Sequence, residues 1–265
     1  MGRIDLGGTC NFRDLGGYEA QGGRVRRGKL FRSDNLSGLE TGAFHAFCAL
    51  GIRTVVDLRT AHERGTRPNR LPRGSSLRVE HAPISIVPEL ERRWSVMDRV
   101  RFVLGGHLAR FDAKFLREAY RGLPGRAVPA LRQVFSLLAK REHAPMLVLC
   151  MGGKDRTGFC VAMLLRALGV SYETVMDDYC FTNVCAKDRV DTLLAATRIV
   201  SKLPLGSRVV READLRAFLE ARPEYLGAAL ETVDRDYGSV EGYLSGPIGL
   251  TQEARESLRE WLLEG

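Results

Sequence analysis

One stretch constrains this chain more than any other: residues 145–169. Pro145-Met146-Leu147-Val148-Leu149 is an apolar run of strand length. Cys150-Met151-Gly152-Gly153-Lys154-Asp155-Arg156 follows it directly, and Thr157 to Leu168 is a strongly apolar helix stopped by Gly169. A loop that leaves a strand and enters a helix turns successive backbone N–H groups into one concavity. The helix N-terminus adds partial positive charge, and together they make an anion site. Gly152 and Gly153 permit the tight, positive-φ backbone such a loop needs.

The side chains of this loop then acquire roles. Cys150 stands at the mouth of the concavity, where the field that attracts phosphate also favours a thiolate, the nucleophilic form of cysteine. A thiolate beside phosphorus can form a phosphocysteine intermediate. Arg156 closes the loop, and its planar guanidinium can hold two phosphate oxygens and follow charge into the transition state. The amides between residues 151 and 156, from Met151, Gly152 and Gly153 onward, would cradle the anion, and the Thr157 hydroxyl would donate to the cysteine sulfur. The flanking elements make Cys-x5-Arg-Thr-Gly far more specific than a bare Cys-x5-Arg.

Composition narrows the setting. The chain has 265 residues, of which 45% are hydrophobic, enough for a sizeable core. No apolar run reaches membrane-spanning length, and Met1-Gly2-Arg3-Ile4-Asp5 leads into no signal-peptide core, so a cytoplasmic location is expected. Export by a route without a cleaved signal fits equally well. The net charge is +8 and the isoelectric point about 9.4. That excess would attract phosphorylated substrates or anionic headgroups, although the arginines are scattered in the manner of a solvated surface. No nucleic-acid motif or basic-aromatic interleaving accompanies it. The six cysteines form no Cys-x-x-Cys, and no metal-ligand cluster is present. Cys10, Cys48, Cys160, Cys180 and Cys185 read as small buried hydrophobes.

The rest of the pattern predicts an α/β fold: a central, mostly parallel sheet flanked by helices, with a helical C-terminal part over residues 171–265. Strands are expected at Leu30–Ser33, Arg53–Arg59 and Val79–Ile84, and a helix over Glu40–Leu50. Further helices are expected from Pro129, over Tyr172–Ile199, Glu212–Ala221, Pro223–Asp236 and Thr251–Leu263. Residues 88–126 carry Arg92, Arg93, Arg99 and Arg101 around Gly105-Gly106, and could form a mobile helical cover or an ordinary peripheral helix pair. No repeat or linker divides the chain, so a single domain over 1–265 is expected, with no oligomeric state read from it.

The loop Cys150 to Gly158 resembles that of the bacterial tyrosine-protein phosphatases of the protein-tyrosine-phosphatase superfamily, including those that act on phosphoinositides. Asn11-Phe12-Arg13-Asp14-Leu15-Gly16-Gly17 is similar to that family's N-terminal signature. Phe31-Arg32-Ser33, Val56-Asp57-Leu58-Arg59 with Glu63, Asp178-Tyr179, and Tyr237-Gly238-Ser239 extend the likeness along the chain. The resemblance implies hydrolysis of phosphotyrosine, extending to phosphoserine, phosphothreonine and phosphoinositides, without cofactor or metal. Lys154 fits that breadth as a cation for extra phosphates, or else pairs with Asp155. Leu149 departs from the family, which usually has His before the cysteine, and a slower enzyme is expected. Asp155 is the first candidate for the general acid and Asp112 the second. Arg13, Asp14, Asp57 and Arg59 are expected to orient the loop, and Glu63, after a strand end, to contact substrate. Two other functions share part of the pattern: a catalytically weak phosphate-binding module and a rhodanese-like sulfurtransferase.

Overall fold

A computed structural model describes residues 2–72, 76–86, 112–201 and 212–265. Among these residues nine strands form two sheets. The larger combines β1 (Gly2–Arg3), β2 (Arg13–Asp14), β5 (Leu30–Ser33), β6 (Thr54–Asp57), β7 (Arg78–His81) and β8 (Met146–Leu149), in the order β1-β2-β5-β8-β6-β7. The run β5-β8-β6-β7 is parallel, and β1 and β2 add an antiparallel edge. The smaller sheet is antiparallel and joins β3 (Glu19–Ala20) and β4 (Gly23–Val25) to β9 (Leu263–Glu264) near the C-terminus.

Every residue of β5, β6 and β8 is buried, as expected of a parallel sheet covered on both faces. The two-residue period of a strand sorts their side chains between two cores. Phe31, Val55, Leu147 and Leu149 join a smaller core with Phe12 and Phe47, while Leu30, Val56, Met146 and Val148 join the larger one. The register sets Ser33, Leu149 and Asp57 side by side at the carboxyl ends of the three strands. Cys150 therefore emerges where open α/β sheets place their ligands.

The helices are α1 (Phe44–Ala49), α2 (Ala61–Thr66), α3 (Ala113–Arg121), α4 (Leu123–Leu138), α5 (Asp155–Ala167) and α6 (Tyr172–Cys180). They continue with α7 (Thr182–Cys185), α8 (Lys187–Ser201), α9 (Glu212–Leu219), α10 (Pro223–Tyr237), α11 (Val240–Ser245) and α12 (Gln252–Leu262). Helix α5 is buried along nearly its whole length and packs against α4, α6, α10 and α11.

Several expectations shift. Helix α5 begins at Asp155, two residues before Thr157, with a carboxylate in its first turn where the helix dipole favours one. The span expected to be one helix from Tyr172 is three, α6, α7 and α8. Helix α4 starts at Leu123 and carries Pro129 inside it; buried Leu123, Ala127, Ala130 and Leu131 hold those turns in place. Helix α2 has no buried residue and forms through a capping box between Thr60 and Glu63. Cys160 and Cys185 are buried as expected, but Cys48 is exposed and Cys10 and Cys180 are half-buried. Of the expected cover, Arg92, Arg93, Arg99, Arg101, Gly105 and Gly106 lie outside the described residues.

Candidate active site

Residues 150–156 run from the end of β8 into α5, and their carbonyls decide which way the loop faces. The Met151 oxygen accepts from Asn35 Nδ2 at 2.8 Å and from the Asn35 amide at 3.3 Å. The Gly152 and Gly153 oxygens accept from Asn11 Nδ2 at 3.3 and 3.0 Å, and Gly153 also from Arg32 at 2.6 Å. In a trans peptide the C=O of one residue and the N–H of the next point opposite ways. Three successive carbonyls held against the protein thus turn the amides of Gly152, Gly153 and Lys154 toward the opposite side, making an anion nest.

Gly153 is required by this geometry and Gly152 is not. Gly153 has φ of +63°, and a Cβ there would lie 2.6 Å from the backbone of Ser33 and Asp34. A Cβ on Gly152 would meet nothing within 4 Å. The Gly-Gly pair therefore contains one conformational demand.

A hidden network holds the clamps. Asp178, fully buried, pairs with Arg32 and Arg13 and accepts from Tyr18 Oη at 2.8 Å. Arg13 Nη1 donates to Asn11 Oδ1 at 2.8 Å, orienting the amide that reaches the loop. Asp34 accepts from the Cys10 and Asn11 amides, both at 3.1 Å. Burial alone would raise the Asp178 pKa, but Arg32 and Arg13 outweigh it and hold the carboxyl below its usual range. Arg13 thus acts through Asn11. Asp14 instead caps the Gly16 and Gly28 amides, and Asp57 and Arg59 pair with each other beside α2.

Cys150 is buried at the base of a cavity of about 330 Å³, also lined by Glu63, Met151, Gly152, Lys154, Asp155 and Arg156. Cys10 lines it too, but burial and the Asp34 charge push the Cys10 pKa up to about 11. Cys160, one helical turn into α5, is pushed up to about 12 by burial. Both stay thiols at neutral pH, which leaves Cys150 as the sulfur at the anion nest. Leu149, the residue before the cysteine, is fully buried in the smaller core.

Glu63 and Thr157 depart from expectation, and Lys154 follows the second of its two readings, pairing with Asp155. Arg156 directs its two Nη groups end-on to Glu63, at 2.5 and 2.7 Å, so Glu63 grips the arginine and is not an idle substrate contact. Five N–H donors on a guanidinium leave the edge bearing Nε, which is buried without a hydrogen-bond partner among the described residues, for an anion. Burial would lower the Arg156 pKa, but the Glu63 bonds and the Cys150 charge hold it above its ordinary value. Lys154 lines the cavity, yet its ammonium donates to the Phe218 and Glu220 carbonyls at 2.8 and 3.1 Å and lies 3.0 Å from Asp155. All three of its donors have an acceptor, so it stands as a tether to the end of α9 and not as a spare cation. The Thr157 hydroxyl is buried and makes no hydrogen bond among the described residues, so the expected bond to sulfur is not formed.

Asp155 Oδ1 accepts from Tyr120 Oη at 2.5 Å. Asp112 is exposed and caps α3 through the Phe115 amide at 2.8 Å; it does not line the cavity, which leaves Asp155 and Glu63 as the carboxyls that line it among the described residues. Sequence reasoning missed Asn35, Tyr120 and the partnering of Asp178 with Arg32. Arginine in a strand that must be buried, and aspartate on the apolar face of α6, were the available signals, since buried charges occur paired.

A thiol at a nest of amides, a gripped arginine and an adjacent carboxyl define a cysteine-based phosphatase site. The model of the tyrosine phosphatase family matches residues 4–264, and the chain belongs to that family. It is 31% identical over 286 residues to the triple specificity protein phosphatase PtpB of Mycobacterium tuberculosis, covering 98% of each chain. It is 27% identical over 229 residues to a tyrosine-protein phosphatase of Nostoc commune, covering 86% of this chain and 72% of that one. Among the described residues no helix is long and apolar enough to cross a membrane.

Proposed function

We propose that the chain hydrolyses phosphotyrosine in two steps through Cys150, with Arg156 and the loop amides binding the phosphoryl group and Asp155 moving the proton. In the first step the Cys150 sulfur anion attacks phosphorus, the bond to the leaving oxygen breaks, and Asp155 supplies that oxygen with a proton. In the second, water attacks the phosphocysteine, Asp155 takes the proton back, and the sulfur leaves as a thiolate. Charge on the equatorial oxygens is met throughout by the amides of residues 152–154 and the Nε edge of Arg156, groups already fixed before reaction. Glu63 keeps that arginine in place.

The observation that carries this reading is the capture of three successive loop carbonyls by Asn35, Asn11 and Arg32, which turns the amides toward the cavity that holds Cys150. The triple specificity named for the Mycobacterium tuberculosis relative supports a range wider than phosphotyrosine. Lys154 does not support it, because all three donors of its ammonium are committed; Arg189, which also lines the cavity, is 40% exposed and pairs with Asp34 at 3.4 Å through one nitrogen, leaving it the better cation for a second anionic group.

A panel of phosphotyrosyl, phosphoseryl and phosphothreonyl peptides and phosphoinositides, run with wild type and Cys150→Ser, tests the proposal. Turnover of the tyrosyl peptide that disappears in Cys150→Ser is expected. Binding of that peptide by wild type without any turnover would leave a phosphate-binding module instead.

A further inference from the structure

Helix α5 opens with Asp155, whose two oxygens have different surroundings. Oδ1 accepts from Tyr120 Oη at 2.5 Å and lies 3.0 Å from Lys154 Nζ. Oδ2 accepts no hydrogen bond among the described residues, and Asp155 lines the same cavity as Cys150. The Tyr120 and Tyr179 hydroxyls are 2.8 Å apart. A phenol has one proton and an ionised carboxylate has none to give. Tyr120 must spend its proton on Asp155, so Tyr179 donates to Tyr120, and the chain runs Tyr179 to Tyr120 to Asp155.

That chain is fixed by packing. Both tyrosines are fully buried, and their rings meet edge-on at 6.4 Å. Tyr120 also lies 5.5 Å from the Tyr225 ring, and a Cβ on Gly158 would come within 2.8 Å of the Tyr179 ring. Burial, then the Asp155 charge, push both hydroxyls well above their ordinary range, so they remain donors at any working pH.

We infer that Tyr120, backed by Tyr179, is a positioning residue that assigns the transferable proton to Oδ2 of Asp155. The inference rests on the reading of Asp155 as the general acid. An oxygen that already receives a hydroxyl proton and faces an ammonium is a poor place for a third hydrogen, whereas the other oxygen is unencumbered. Protonation at Oδ2 leaves Oδ1 a carbonyl-type acceptor, so the Tyr120 bond survives both halves of the reaction. The carboxyl is held in one rotamer while its proton leaves and returns, as general acid–base catalysis requires. Among the described residues, the charged and titratable groups facing Asp155 are Lys154 and Arg156 from the loop, Tyr120 from α3, Tyr179 from α6 and Tyr225 from α10. Tyr120 is the neutral group among them that donates to Asp155 itself, so its hydroxyl can be deleted without removing a charge.

The test is Tyr120→Phe, assayed over aryl phosphates of graded leaving-group acidity and across pH, with Asp155→Asn alongside. A nitrophenyl ester needs little help in leaving and should turn over nearly as in wild type, while phenyl phosphate should slow by about tenfold, a fraction of the full general-acid contribution. Loss of a donor to the carboxylate makes its protonated form relatively more stable, so the basic limb of the rate profile should move to higher pH. An equal loss on every ester with an unmoved limb would reduce Tyr120 to packing and overturn the inference. Asp155→Asn separates the two claims. If it leaves the dependence on leaving group unchanged, the acid assignment itself fails; if it steepens that dependence while Tyr120→Phe does not, only the positioning role fails. Should Tyr120→Phe not fold, Tyr179→Phe decides in its place, with a smaller steepening supporting the inference and none contradicting it.

Discussion

At the scale of single residues, Gly153 shows how little of a loop motif is conformational necessity. Its φ of +63° costs an L-residue about 1–2 kcal/mol, and its missing Cβ makes room for the Ser33 and Asp34 backbone, which cannot yield. Gly153→Ala should therefore lower stability by at least that amount, whereas Gly152→Ala, with open space at its Cβ, should stay within about 0.5 kcal/mol. Paired thermal melts check this, and equal shifts would contradict the loop geometry. The places of Cys150 and Arg156, on one cavity between a strand and a helix, were readable from residue type and spacing. Their partners were not, because Glu63 and Asn35 reach the loop from positions distant in sequence, and no local pattern encodes a contact of that kind.

At the scale of elements, the strand–loop–helix unit was legible because each part carries its own signal: a fully apolar strand, a glycine-bearing turn, an apolar helix ended by Gly169. Elements without such signals were missed. Helix α2 rests on a capping box and buries no residue, and the two-residue strand β9 exists through pairing with β4, far away in the chain. The Lys154 tether is another non-local feature, since it joins the loop to carbonyls at the end of α9. A cation at a helix C-terminus contributes about 1 kcal/mol. Lys154→Met should thus make α9 open about fivefold more often, seen as faster amide exchange confined to Glu212–Leu219. Unchanged exchange there would show that the tether does not hold the helix.

At the scale of the whole molecule, Asp178 joins parts that the chain keeps far apart. It binds β5 through Arg32 and β2 through Arg13, and by way of those arginines it supports both clamps on the catalytic loop. The α/β class and the mostly parallel sheet followed from strand and helix patterns, but this hub did not, since pairing among buried charges depends on the finished fold. Asp178→Asn leaves two buried arginines without their counter-ion and should cost about 3–5 kcal/mol in urea unfolding. Because the folded pKa of Asp178 is depressed, its contribution is complete above the unfolded value of about 3.9 and is lost as pH falls through the folded value. Wild type should lose this part of its stability only below about pH 4, and the asparagine variant should be flatter across that window.

The proposal that Cys150 is the nucleophile has a direct test, which is to catch its sulfur carrying phosphate. Rapid mixing of the enzyme with a nitrophenyl phosphate, acid quench and peptide mass mapping should find a phosphoryl group on Cys150 and none in Cys150→Ser. A phosphoryl group on another residue, or undiminished turnover by Cys150→Ser, would contradict the account.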